Sequence, residues 1–162
     1  MLGNEEILKG GYEMNEKEIR IFPNSQKYEF KTEEELDDYI RNTLRSSERS
    51  GRYNVRKFEP VEKIAVGSVA LFRFADKVLG WGVVSEKAVY LPFSDPEYGK
   101  YEGFIMFNPK TVKAFETPLL IKDLESITGM RFHFKDNYKT GRVYYKIPFQ
   151  FKDEIQSHIT ER

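Results

Sequence analysis

Val69 to Phe74 (VALFRF) and Val78 to Val84 (VLGWGVV) are separated only by Ala75-Asp76-Lys77, and this spacing limits the chain more than any other feature. Two short runs rich in branched and aromatic residues, joined by so tight a polar turn, read as a β-hairpin. Gly80 and Gly82 flank Trp81 in the second run, and glycine inside a strand marks a place where another element comes close.

The rest of the chain follows the same short-strand pattern. Glu18 to Phe22 and Lys27 to Phe30 read as strands around the turn-like Pro23-Asn24-Ser25. Thr32 with Glu35 three residues later is a capping box, and acidic residues fill the first helical turn, where the macrodipole favours them. Leu36, Tyr39, Ile40, Thr43 and Leu44 then keep one helical face largely apolar until Ser46 to Gly51 ends it. Leu91 to Tyr101, with two prolines and a glycine, is a loop. Gly103 to Asn108 and Val112 to Glu116 are strands. Pro118 opens a short helix carrying Leu120, Leu124 and Ile127, which Gly129 stops. Arg131 to Phe134 and Arg142 to Ile147 are further strands around a polar loop, and the chain closes in a helix reaching Ile159. Many short strands alternating with small helices predict an α+β architecture, a compact barrel with helical caps.

Bulk properties suit one domain. The chain has 162 residues, 40% hydrophobic and 32% charged, a globular composition. It has no cysteine, which removes disulfides and thiolate metal ligands and fits a reducing, cytoplasmic setting. No apolar run approaches the roughly 20 residues of a membrane-spanning helix. Net charge is zero, which argues against indiscriminate nucleic-acid binding, yet the first 50 residues are net acidic and the remainder net basic. The high aromatic content, 13 Phe, 10 Tyr and 1 Trp, suits strands and base-stacking surfaces alike.

Catalytic patterns are missing. His133 and His158 belong to no metal-ligand spacing, and the GxSxG, GxxxxGK[ST] and GxGxxG fingerprints are absent. His133 alternates with Phe132 and Phe134 and so points away from two core rings. Asp37-Asp38 belongs to the solvated face of the helix. No enzyme activity, metal or cofactor is expected.

Several segments resemble the EVE domain, and more distantly the YTH domain, of the PUA-like superfamily. Gly51-Arg52-Tyr53-Asn54-Val55 resembles the aromatic-small-Val loop after the first helix of those families. Lys63 to Phe72 (KIAVGSVALF) is similar to their "lkpGD" turn and following strand, and Val78 to Ser85 to their "ivGi-eVvse" strand. Thr117 to Leu124 (TPLLIKDL) resembles their "PvpLkdL" segment, and Phe149 to Ile159 their terminal helix. Tyr53 stands where the families usually carry Trp, and Ser68 replaces the Asp after the glycine. The resemblance runs from residue 26 to the end and leaves residues 1–25 as an N-terminal extension.

This resemblance implies a PUA-like barrel that binds nucleic acid. It points to DNA carrying a methylated base, flipped into an aromatic cage, in a module that targets a McrB-type restriction assembly with a motor or nuclease partner. Flipping costs a few kcal/mol, which stacked aromatic walls recover. Tyr53 is the expected cage wall, or else a rim tyrosine packed on the barrel. Asn54 pairs with a base edge or shapes its turn. Trp81 and Phe115 line the cage or fill the core, and Asn108 lines the pocket or caps a turn. Arg52, Arg56, Lys57, Lys135, Lys139 and Arg142 are the expected phosphate contacts. Two alternatives stand beside this reading: an RNA-binding module of the same superfamily, and a small ASCH-like enzyme using Lys63 or Lys77 with Glu86.

Overall fold

The computed structural model describes residues 16–23, 30–46, 51–91, 101–133 and 145–160. In chain order these form β1 (Glu18–Pro23), α1 (Glu33–Tyr39), β2 (Arg52–Val55), β3 (Val69–Phe74) and β4 (Lys77–Tyr90). There follow β5 (Gly103–Phe107), β6 (Lys113–Leu120), α2 (Ile121–Thr128), β7 (Lys146–Pro148) and α3 (Lys152–Gln156). The strands make one mixed sheet in the order β2-β5-β4-β3-β1-β7, with β6 paired to β4 beside this path. The fold is α+β, as expected, but the sheet is open. The expected closure into a barrel does not occur, and β2 and β7 remain the ends of the path.

The 14-residue β4 is the reason the sheet bends without closing. Its first half pairs with β3 and β6 and its second half with β5, with register shifts after Val84 and Glu86. Such bulges turn a strand and increase its twist. The sheet therefore curls, and helices cover it instead of further strands.

Two hydrophobic cores lie on its opposite faces. One gathers Phe22, Leu36, Ile40, Leu44, Tyr53, Val55, Phe72, Ile105 and Phe107. The other gathers Ile19, Ile21, Val69, Leu71, Trp81, Phe115, Leu124, Ile147 and Ile155. Neighbours along β3 alternate between the two, as Val69, Ala70, Leu71 and Phe72 show. This strand is covered on both sides, which explains why VALFRF reads as an almost unbroken apolar run.

The capping box forms: Glu35 N–H donates to Thr32 Oγ1 at 3.1 Å, and Lys31 N–H donates to Glu35 Oε1 at 2.9 Å. A π-turn at Ile40–Leu44 ends this helix and keeps Ile40 and Leu44 in the core. Lys77 Nζ lies 3.0 Å from Glu33 Oε1 and ties α1 to β4. The hydrogen bond and charge of Glu33 raise the Lys77 pKa above its ordinary value, so this tie persists from neutral into alkaline conditions and is lost only as pH climbs through the raised value. Gly67, at φ +94, makes the turn before β3, and buried Ser68 accepts a hydrogen bond from Glu18 N–H at 3.0 Å.

Some expectations shift. Pro118 lies inside β6, and α2 starts at Ile121. Between Ala114 and Leu119 the β6–β4 register shifts, so Pro118 sits in a bulge where a missing N–H costs no ladder bond. The bulged Glu116 N–H donates instead to the carbonyl of Thr160. Residues 131–133 are not a strand. β1 falls within residues 1–25, set apart above as an extension, yet it lies between β3 and β7 in the sheet. Most of the expected strand Lys27 to Phe30 lies outside the described residues, as does the Arg142 to Tyr144 part of the last one.

Gly51 and Gly129 have nearly the same backbone, φ +72 and +75, but different surroundings. A β-carbon at Gly51 would collide with the Phe107 carbonyl, whereas one at Gly129 would meet nothing within 4 Å. Gly129→Ala should therefore cost only the left-handed backbone penalty, about 1–2 kcal/mol in urea unfolding. Gly51→Ala should cost clearly more, and equal losses would contradict this packing.

Candidate nucleic-acid interface

Within Gly51 to Val55, expected as a loop, Arg52–Val55 forms the edge strand β2 against β5 and Gly51 is the turn before it. Tyr53 and Val55 are buried, while Arg52 and Asn54 between them are half-buried and turned to the other side. β5 alternates in the same way. Gly103, Ile105 and Phe107 are buried, and Phe104 and Met106 are only partly so. Register puts Arg52 opposite Met106 and Asn54 opposite Phe104. Across β5, Glu86 of β4 stands opposite Met106 and Val89, 40% exposed, opposite Phe104. The outward face of this half-sheet thus carries two short rows, Arg52–Met106–Glu86 and Asn54–Phe104–Val89.

Three of these residues interlock. The Arg52 guanidinium carbon lies 3.9 Å from the centre of the Phe104 ring, close enough for a cation–π contact. Arg52 Nε–H also donates to Asn54 Oδ1 at 3.0 Å. At the end of the same strand pair, Arg56 lies 5.8 Å from the centre of the Tyr101 ring, and Lys57 pairs with Glu102 at 3.7 Å. Two arginines, an asparagine and two half-buried rings thus share one strip of sheet with the carboxylates Glu86 and Glu102.

The remaining expected site residues lie elsewhere. The Tyr53 ring is 7% exposed and stacks on Phe72 at 5.7 Å, with Phe22, Phe107 and Tyr39 edge-on at 5.5, 6.1 and 6.1 Å. It is thus packed in the core and offers no open wall to a base. Trp81 and Phe115 are buried together in the opposite core, with Lys113 5.6 Å from the Trp81 ring centre. Asn108 caps the turn Pro109–Thr111 by accepting from Lys110 N–H at 3.0 Å. The structure therefore brings Arg52 and Asn54 together, with Arg56 and Lys57 at the end of the strand, and separates them from Tyr53, Trp81, Phe115 and Asn108. Lys135, Lys139 and Arg142 lie outside the described residues.

The pairing imagined for an ASCH-like enzyme does not form at Lys77. Glu86 lies nine residues along the same strand, about 30 Å of extended chain. Lys63 lines a shallow groove with Arg20, Glu59, Pro60 and Glu62. Asp37 is held by Arg41 at 2.9 Å and its side chain is only 16% exposed, so of the Asp37-Asp38 pair expected on the solvated face Asp38 alone is exposed. Among the described residues no group of three or more His, Cys, Asp or Glu is placed to hold a metal ion, and no helix is long and apolar enough to cross a membrane.

The sequence carries no signal that marks Phe104 as a surface ring. In GFIMF both alternating sets are apolar, so the pattern cannot tell which set faces out. The placement of Tyr53 has a direct consequence: Tyr53→Ala should lower unfolding free energy by about 3–5 kcal/mol, as expected for deleting a core ring. Asn54→Ala, on the outward face, should change it by less than about 1 kcal/mol. Chemical denaturation of both variants checks this, and a neutral Tyr53→Ala would contradict the core assignment.

No family model matches the chain, and no curated protein does. Among solved structures, the YTH domain of Mmi1 in complex with RNA is similar to it, with a TM-score of 0.51 and 11% sequence identity. The match covers 88% of this chain and 77% of that one. At this identity the likeness is one of fold alone and carries neither modified DNA nor a motor or nuclease partner. The chain has a YTH-like fold.

Proposed function

We propose that this chain is a nucleic-acid-binding module, without a catalytic step of its own, that takes single-stranded RNA across the outward face of β2, β5 and the end of β4. The observation that carries this reading is the Arg52–Phe104–Asn54 cluster. Proteins read unpaired RNA by stacking its splayed bases on aromatic rings or guanidinium planes and by hydrogen bonds to base edges. This cluster has a ring, a guanidinium plane and a carboxamide on a half-buried sheet face. Arg56 and Lys57, the latter paired with Glu102, continue the strip with side chains of the kind that contact phosphates.

The structural neighbour is an RNA complex, and this supports RNA over DNA as the partner. A modified base flipped into a cage at Tyr53 has less support. The ring would first have to leave four aromatic neighbours, and aromatic pairs each contribute about 0.5–1.5 kcal/mol beyond burial.

Fluorescence polarisation with a labelled single-stranded RNA octamer of mixed sequence tests the proposal. Stacking is worth roughly 1–3 kcal/mol per base, so Arg52→Ala and Phe104→Ala should each weaken binding about tenfold or more. Raising the salt should weaken binding steeply. Thermal melts of both variants guard against misfolding. No binding to RNA would sink the proposal, and tighter binding to a duplex carrying N6-methyladenine would restore the modified-DNA reading.

A further inference from the structure

Asn54 is the residue on this face that would ordinarily read adenine. A free carboxamide pairs with adenine by donating from its nitrogen to N7 and accepting from N6 with its oxygen. Here the oxygen is engaged. Nε–H of arginine can only donate, so the atom of Asn54 facing it at 3.0 Å must be Oδ1. This fixes the orientation of the amide and turns its NH2 away from Arg52. It also sets a cation beside the oxygen, where the N6 amino group of an adenine would meet other N–H groups.

Arg52 has donors only, and its guanidinium is held over Phe104 at 3.9 Å. The ring, the guanidinium and the fixed amide therefore form a platform bordered by N–H groups, with the amide oxygen engaged by Arg52; the one carboxylate of the two rows, Glu86, stands beyond Met106 from Arg52. Among the purines, guanine presents two adjacent acceptors on its exposed edge, O6 and N7. Adenine presents an acceptor beside a donor.

Resting on the RNA-binding reading above, we propose that Arg52 and Asn54 make this face select guanine over adenine, with Asn54 the specificity-determining residue. The preference is a matter of donor and acceptor polarity. Inosine, which keeps O6 and N7 but lacks the 2-amino group, should bind like guanine. Removing the N7 acceptor, as in 7-deazaguanine, should forfeit much of the gain.

The test is a set of single-stranded RNA octamers, identical except for one central guanine, adenine, inosine or 7-deazaguanine in a pyrimidine background. Binding to the intact chain is read at fixed salt. Guanine and inosine should bind on the order of tenfold tighter than adenine, the scale of one bidentate base contact. Asn54→Asp retains the partner of Arg52 but offers the base a second acceptor, and it should shrink or reverse the guanine-to-adenine ratio while leaving thermal stability unchanged. Tight binding with equal affinity for guanine and adenine would overturn the inference and leave the RNA-binding reading standing. So would a ratio that Asn54→Asp does not move. Absence of binding to every octamer would overturn both.

Discussion

The packing of Tyr53 against Phe22, Phe72 and Phe107 decides the rest of this half of the molecule. β2 is only four residues long and lies at the edge of the sheet, so few backbone bonds hold it. The burial of Tyr53 and Val55 fixes its register. Side chains alternate along a strand, so burying one pair obliges Arg52 and Asn54 to face outward. A slip by one residue would place a guanidinium in an aromatic core, at a prohibitive desolvation cost. The candidate interface is in this sense a consequence of the core: the ring that seemed suited to hold a base instead orients the residues around it.

How much of this was visible beforehand differs by element. The β3–β4 hairpin and α1 were legible because strong local signals agree with the tertiary contacts. Thr32 and Glu35 cap the helix as the motif requires, and the two runs are joined by a turn one residue tighter than the spacing suggests, Ala75-Asp76, because Lys77 already pairs with Phe74. β2 is hidden in the sequence because Arg52 to Val55 offers only two apolar positions, too few to establish a period. Pro118 resembles a helix start in sequence because a proline in a strand is normally excluded. The bulge in β6 removes that exclusion, and no local pattern announces a bulge.

The open sheet has a similar origin. A run of short strands with small helices fits a barrel as well as a curled sheet, and closure depends on whether the end strands meet. The shifts along β4 and the covering helices settle that point, and both are long-range features. The candidate site was half legible. Arg52 and Asn54 were identified from their place beside Tyr53, although for a pocket that the core occupies. Phe104, the ring that gives Arg52 its platform, is one of two equivalent apolar sets in β5 until β2 is laid against it.

The central claim is that nucleic acid meets the outward face of β2 and β5 while the Tyr53 core stays closed. Backbone and arginine-side-chain NMR of the isotope-labelled chain, titrated with a single-stranded RNA octamer, examines this most directly. The account predicts shifts concentrated at Arg52 to Lys57 and Gly103 to Phe107, including Arg52 Nε–H, with the aromatic signals of Phe22, Tyr53 and Phe72 little changed. Shifts centred instead on those core rings, or on α2 and α3 across the sheet, would contradict it.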